Sequence, residues 1–177
     1  MRVIAGEFRS RLLKSVPGPD VRPTPDRLRE ALFNVLAPRI QGQVFADIYA
    51  GTGAVGIEAL SRGAARAILV ESNCAAVNVI RANLKALGLE PRSQLLQIRA
   101  LAALASLRAG IVFIDPPYRL EKEYGAALDI LGRRPPAEVI VQHDVRHKLD
   151  ERYGALARVR VVRQGDNCLS FYESAGA

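Results

Sequence analysis

The chain has little of what holds small secreted or metal-bound proteins together. Its 177 residues include two cysteines, Cys74 and Cys168, and two histidines, His143 and His147. The cysteines are far apart and lack metal spacing, so they read as small residues of a reducing compartment, neither a disulfide nor a zinc framework. The histidines stand four apart, which fits one helix face, but no cysteine or third histidine accompanies them. With an apolar strand directly before His143, both read as ordinary polar residues. No apolar stretch is long enough to cross a bilayer, and no basic segment followed by an apolar one opens the chain. Repeats and low-complexity tracts are absent as well. The expectation is a single domain over residues 1–177, cytoplasmic, monomeric by default, without metal and without a membrane partner.

What is present is concentrated in a few short segments. Ile111-Val112-Phe113-Ile114 reads as a buried strand, and Asp115-Pro116-Pro117-Tyr118 ends it abruptly. The stiff loop offers a carboxylate, a carbonyl and an aromatic ring. Asp115 and the Pro116 carbonyl can each accept one N–H of an exocyclic amine, while Tyr118 stacks on the attached ring. Two acceptors off the ring plane draw the delocalised amine lone pair toward an electrophile. As an isolated tetrapeptide, the same residues also fit a strand-terminating turn.

A second segment supplies the partner. Val44–Tyr49 reads as a strand running into Gly51-Thr52-Gly53-Ala54-Val55-Gly56, a G-x-G-x-x-G loop that opens an apolar helix. Such a loop lets a ligand lie against the backbone near the positive end of the helix. A third strand, Ala67–Val70, ends in Glu71, 20 residues after Gly51, where a carboxylate can accept both ribose hydroxyls of a nucleoside. Asp115 follows Gly51 by 64 residues, room for the rest of three strand–helix units. Asp-Pro-Pro-Tyr should therefore end the fourth parallel strand, which neighbours the first across the switch point of a doubly wound sheet. A dehydrogenase has no use for an amine clamp in that crevice; an amino methyltransferase does.

At this level the chain resembles the RsmD family of 16S rRNA (guanine-N2)-methyltransferases, within the Rossmann-like S-adenosylmethionine-dependent methyltransferases. The resemblance rests on Arg2–Arg11 as a basic hairpin and on Arg22-Pro23-Thr24-Pro25-Asp26-Arg27-Leu28-Arg29-Glu30-Ala31-Leu32-Phe33-Asn34 as a signature helix. It continues through Asp47–Ala64 as the nucleoside loop and Gly165–Tyr172 as the last hairpin. It implies S-adenosyl-L-methionine as cofactor, contacted by Asp47, Tyr49, Ala50, Gly51, Thr52, Gly53, Gly56, Glu71 and Ser72, with Thr24 and Arg27 lining the site. It also implies 16S rRNA in the small ribosomal subunit as partner. The implied fold is an α/β, mostly parallel seven-stranded sheet with a C-terminal antiparallel hairpin, preceded by a small basic hairpin and helix over residues 1–40. Two positions depart from the family pattern. Ala100 stands where an acidic residue would meet the adenine amine, which leaves either that contact to a backbone group or the cofactor weakly held. Gln142-His143 stands where Glu-His is expected, and His143 is a candidate to shape the base pocket.

Charge points the same way. The formal net charge is +7. Residues 1–40 hold Arg2, Arg9, Arg11, Lys14, Arg22, Arg27, Arg29 and Arg39 against Glu7, Asp20, Asp26 and Glu30, so four of the seven excess charges lie there. Phe8 sits among them, giving the aromatic interleaving useful for RNA. Arg2, Phe8, Arg9, Arg11, Lys14 and Arg22 are the candidate RNA contacts.

The local signals give a layout. A hairpin spans Arg2–Lys14. A helix capped by Thr24 or Asp26 runs to Ala37 with Leu28, Ala31, Leu32, Val35 and Leu36 inward. Further helices span Val55–Arg62, Cys74–Leu87 (capped by Asn73 and ended by Gly88), Leu101–Leu107 and Lys122–Leu131. Strands cover Leu95–Ile98 and Val139–Val141, and Ala157–Arg163 pairs with Cys168–Glu173 around Gly165-Asp166-Asn167. Three other readings fit parts of the pattern. They are a DNA adenine methyltransferase, a protein-glutamine methyltransferase, and a non-catalytic RNA-binding or ribosome-assembly factor.

Overall fold

A computed structural model describes residues 1–16, 25–117 and 120–174. Strands and helices alternate through most of the chain: α1 (Asp26–Leu36), β1 (Val44–Ile48), α2 (Ala54–Ser61), β2 (Arg66–Val70), α3 (Cys74–Leu87), β3 (Ser93–Leu96), α4 (Ala100–Leu104), β4 (Ile111–Ile114), α5 (Glu121–Arg133) and β5 (Glu138–Asp144). Three strands without helices close it: β6 (Arg152–Tyr153), β7 (Leu156–Gln164) and β8 (Asn167–Ser174). They form one sheet in the order β3-β2-β1-β4-β5-β8-β7-β6. β1 to β5 are parallel, and β8, β7 and β6 join antiparallel.

The parallel strands are covered on both faces, which is why they read as continuous apolar runs. All four residues of β4 are buried. One face packs α1, α2 and α3 through Leu32, Phe33, Leu60 and Ile80 onto Phe45, Phe113 and Phe171. The other packs α4 and α5 through Leu104 and Leu128 onto Ile48, Val112 and Val141. Truncating any of these leucines to alanine costs about 2–5 kcal/mol.

The expected strands are all found, and β6 makes an eighth. Two residues are too few to show an alternating pattern, so this strand has no sequence signature. It exists because Gly154, at φ 56°, turns the chain beneath Gly132 of α5. A Cβ on Gly132 would fall 2.0 Å from the Tyr153 carbonyl oxygen. β6 covers only the start of β7, where Arg152 and Tyr153 pair with Ala157 and Leu156. From Val159 onward β7 is the edge of the sheet, with Val159 and Val161 exposed and a bulge between Arg158 and Arg160.

Local signals held where side chains act on their own backbone. Asn73 caps α3 by accepting from the Ala76 N–H at 3.1 Å, and Gly88 ends it in the left-handed conformation. They failed where tertiary contacts decide. α1 has Pro25 at its N-cap position and no side-chain cap. Asp26 lies inside the helix and accepts from Arg29, and Thr24 lies outside the described residues. The buried face of α1 is Leu28, Arg29, Leu32, Phe33 and Leu36, so Arg29 and Phe33 replace the expected Ala31 and Val35. β3 begins two residues earlier than expected, directly after a 3₁₀ turn over Glu90–Arg92. Its residues are mostly half-buried, so its apolar pattern is weak. β5 extends past Val141 to Asp144 because β8 pairs along its whole length.

The N-terminal hairpin is closed by one bridge, Arg2 to Leu12. It is built into the domain: Val3 and Leu13 are buried in the core under α1 to α3. Gly6, at φ 83°, lies so close to α2 that a Cβ there would meet the Ser61 carbonyl at 1.9 Å.

Candidate active site

β1 and β4 are neighbours in the sheet, with Ile48 beside Ile114. Both the glycine loop and Asp115 therefore leave the carboxyl end of the sheet at one crevice, as the spacing required.

The loop side is tied down by carboxylates. Asp47 is buried and accepts from the Gly56 N–H at 2.8 Å. Burial pushes its carboxyl up to about 7; the Gly56 bond opposes the rise, and nearby Glu71 adds to it. Asp47 thus holds the loop to β1 from beneath. Gly56 sits between: a Cβ there would be 3.0 Å from Leu69. Glu71 accepts from the Gly51 N–H at 2.9 Å through one oxygen and from the Asn73 N–H at 2.8 Å through the other. Its half-buried carboxylate is fixed at the lip of the loop with lone pairs to spare. Ser72 beside it is exposed. Ala50 and Thr52 are buried, and the Ala50 N–H bonds the Val70 carbonyl at 2.9 Å.

Tyr49 holds a left-handed backbone (φ 68°), uncommon for a non-glycine residue and found at functional sites more than elsewhere. Its hydroxyl donates to Glu123 in the first turn of α5. Burial, then that carboxylate, raise the phenol well above its ordinary range.

On the clamp side, Asp115 is half-buried and Pro116 buried. The Asp115 N–H still reaches the Ile48 carbonyl at 3.4 Å, so the loop departs from an extended strand end. The buried Tyr124 hydroxyl approaches the Pro116 carbonyl at 3.5 Å. That is a long bond, and a carbonyl keeps a second lone pair. Pro117 is exposed, and Tyr118 lies outside the described residues. His147 packs on Tyr124 with ring centroids 4.5 Å apart. His143 does not face the crevice directly. Its ring nitrogens lie 2.9 Å from the Ser170 hydroxyl and from the Asp144 carbonyl, and burial lowers its pKa. Its ring lies 6.3 Å from that of His147, edge-on, and His147 in turn packs on Tyr124. Among the described residues no group of three or more His, Cys, Asp or Glu side chains is placed to hold a metal ion.

The N-terminal hairpin borders the loop. Glu58 of α2, fully buried, accepts from the N–H groups of Ile4 and Ala5 at 2.8 and 3.0 Å and from Arg62 at 2.7 Å. The buried Arg29 guanidinium lies 3.8 Å from it and donates to the Arg2 carbonyl at 2.6 Å. Asn83 accepts from the Lys14 N–H at 2.8 Å and donates to the carbonyls of Lys14 and Thr52, both at 3.1 Å. One amide thus joins the hairpin's exit to the glycine loop. Sequence reading missed Glu58, Asn83 and Tyr124. Glu58 had a visible signal, a lone charge in the otherwise apolar helix Ala54–Ser61.

The hairpin's outer surface is basic. Arg2, Arg9, Arg11, Lys14 and Arg27 are exposed and Phe8 is half-buried. Arg22 lies outside the described residues. Two members of the N-terminal charge excess are committed elsewhere, Arg29 inside and Arg39 to Glu138 at 2.8 Å.

Ala100 is the first residue of α4 and is buried. The helix bonds begin with Ala102 and Ala103 donating to Arg99. A cleft of about 470 Å3 lies at the opposite, amino end of β1 and β4, lined by Gln43, Leu104, Arg108 and Arg134. It is remote from the loop and the clamp and is not the candidate site.

The chain is similar to known proteins over most of its length. A family model described as Conserved hypothetical protein 95 matches residues 1–173. Bacillus subtilis YlbH is 35% identical over 185 residues, covering 99% of this chain and 100% of YlbH. The Escherichia coli K12 ribosomal RNA small subunit methyltransferase D is 42% identical over 121 residues, 67% of this chain and 61% of that protein. The solved structure of Escherichia coli yhhF matches 100% of this chain and 99% of its own with a TM-score of 0.86 at 31% identity. With a glycine loop and an Asp-Pro-Pro turn on adjacent parallel strands, and with matches of this length, the chain belongs to the RsmD family of rRNA methyltransferases.

Proposed function

We propose that this protein methylates the exocyclic N2 amine of a guanine in 16S rRNA, on the small ribosomal subunit, using S-adenosyl-L-methionine. The observation that carries the reading is the shared crevice: a pinned nucleoside loop on β1 and an amine clamp on β4, one strand apart. The name of the Escherichia coli relative supports the choice of RNA.

The residues fit the cofactor. Glu71, oriented by Gly51 and Asn73, can accept from ribose hydroxyls, and the left-handed Gly51 and Gly53 let the backbone approach a nucleoside. The first N–H groups of α4, at Ala100 and Leu101, lie outside the helix's own bonding and can donate to adenine ring nitrogens, replacing an acidic side chain. Tyr49, Ala50, Thr52 and Ser72 lie in or beside the same loop, and Arg27 is assigned to the cofactor with them, as is Thr24, which is outside the described residues. When bound, S-adenosyl-L-methionine supplies a methyl carbon already electrophilic on its sulfonium.

The protein's task is then alignment and electrostatics. Asp115 and the Pro116 carbonyl accept the two N–H groups of guanine N2 and turn its lone pair toward the cofactor side of the crevice, while Tyr118 stacks on the base. The base leaves its stack to enter. Once alkylated, the amine is strongly acidic and loses its proton without a tuned base. Arg2, Phe8, Arg9, Arg11, Lys14 and Arg22 hold the surrounding RNA backbone.

The test is calorimetric titration with S-adenosyl-L-methionine, with and without small subunits lacking the modification, alongside methyl incorporation. Cofactor binding and labelling of one rRNA guanine are expected. Absence of cofactor binding with subunits present turns the reading to an assembly factor, and labelling of adenine or protein turns it to another N-methyltransferase.

A further inference from the structure

Level with the clamp, β5 carries a buried side-chain amide. Gln142, on β5, is 6% exposed, and its Oε1 atom has no hydrogen-bond partner among the described residues. Native structures rarely leave a buried acceptor in this state, because the lost hydration is not replaced.

Its position follows from two ladders. Ile114 of β4 pairs with Val141 of β5, so the next residues, Asp115 and Gln142, stand level at the carboxyl end of the sheet. Across the other ladder Gln142 opposes Leu169 of β8, and directly opposed residues share a face. Leu169 belongs to the core under α1 to α3, so Gln142 points to that side. Arg39, just past the end of α1, bonds Glu138 at the start of β5, so the carboxyl end of α1 lies at the amino end of the sheet.

We infer that Gln142 is the residue that tells the target base from other aminopurines. The inference rests on the N2-methylation reading. With guanine N2 in the clamp, the next two groups along the base edge are N1–H and O6. A carboxamide complements both, Oε1 accepting from N1–H and Nε2 donating to O6. Adenine presenting its N6 amine to the clamp offers a bare N1 and then C2–H, which satisfies Nε2 and leaves Oε1 buried and unpaired. A site built around such an acceptor rejects a base that lacks the donor more strongly than shape alone does.

The test uses small subunits reconstituted with either guanine or 2-aminopurine at the methylated position. 2-Aminopurine keeps the amine but has a bare N1 and no O6. Gln142→Met removes the amide while keeping the volume. The expected result is a fall of about ten- to hundredfold in kcat/KM for guanine, with little change for 2-aminopurine, so that the preference between them collapses. Cofactor affinity stays within threefold, and Tm of the free protein holds or rises, since an unpaired buried acceptor has been replaced by an apolar group. A preference that survives the substitution overturns the inference, as does a fall of several degrees in Tm, which would reveal an internal partner for the amide. Gln142→Leu serves the same comparison if the methionine variant does not fold. Absence of methyl transfer to guanine by the unmodified protein would instead remove the N2-methylation reading beneath it.

Discussion

The two halves of the crevice are built differently. On the loop half, buried and half-buried carboxylates each hold a backbone N–H: Asp47 on Gly56, Glu71 on Gly51 and Asn73, Glu58 on Ile4 and Ala5. On the base half, a long bond from Tyr124 touches Pro116, and the buried Gln142 oxygen has no partner among the described residues. The loop half is braced by the chain's own carboxylates, so its shape is fixed by folding. The base half leaves bonding capacity for what enters. That division suits a protein whose cofactor is always the same small molecule and whose second substrate must be recognised each time.

The difference can be broken hardest on the loop half. Glu58→Ala leaves the buried Arg29 charge with Asp26, an exposed carboxylate, as its remaining ion pair and strands two backbone N–H groups, and should cost about 3–5 kcal/mol in urea unfolding. A loss under about 1 kcal/mol would mean water replaces the carboxylate. Asp47 gives a pH test of about the same size. Its folded pKa of about 7 lies above the unfolded value near 3.8, so the folded state keeps the proton longer. Stability tied to this group is full below about pH 4 and is lost as pH rises to about 7, a change of about 4 kcal/mol. Asp47→Asn should flatten that slope, and identical slopes in both proteins would show that Asp47 ionises normally.

On the base half, Asp115→Ala should lower methyl transfer by about 10²–10³-fold with cofactor affinity within threefold. Full turnover by that variant would end the clamp model. Glu71→Ala should do the opposite, weakening cofactor binding about tenfold or more in calorimetry, about 1.4 kcal/mol per tenfold. Unchanged affinity would remove its ribose role. The smallest effect belongs to the outer surface. Replacing Arg9 and Arg11 by alanine should reduce the slope of log affinity against log salt for RNA by about 1.5, or leave it unchanged if the hairpin faces solvent.

Much of this was legible in sequence wherever a signal is local. Asn73 and Gly88 bound α3 because each acts on backbone a few residues away. The order of the parallel strands and the meeting of Gly51 with Asp115 follow from spacing and the handedness of strand–helix–strand crossovers. What escaped depends on partners distant in the chain. Asn83 looks like any polar residue of a helix until folding brings Lys14 and Thr52 to it. Arg29 counted as surface charge until Glu58 and the Arg2 carbonyl enclosed it. Residues 1–40 read as a basic extension from their charge, and nothing in that charge showed that Val3 and Leu13 are core.

The brevity of β6 has a consequence for how molecules of this protein meet one another. Because it covers only the start of β7, no strand among the described residues pairs with the outer side of β7 from Val159 to Gln164, where two valines are exposed. Such an edge is a template on which another chain could add a strand and begin a fibre. Here the bulge at Val159 bends it, and the exposed guanidinium groups of Arg160 and Arg163 repel their counterparts on an approaching copy. The arginines of β7 thus oppose strand addition between copies of the chain.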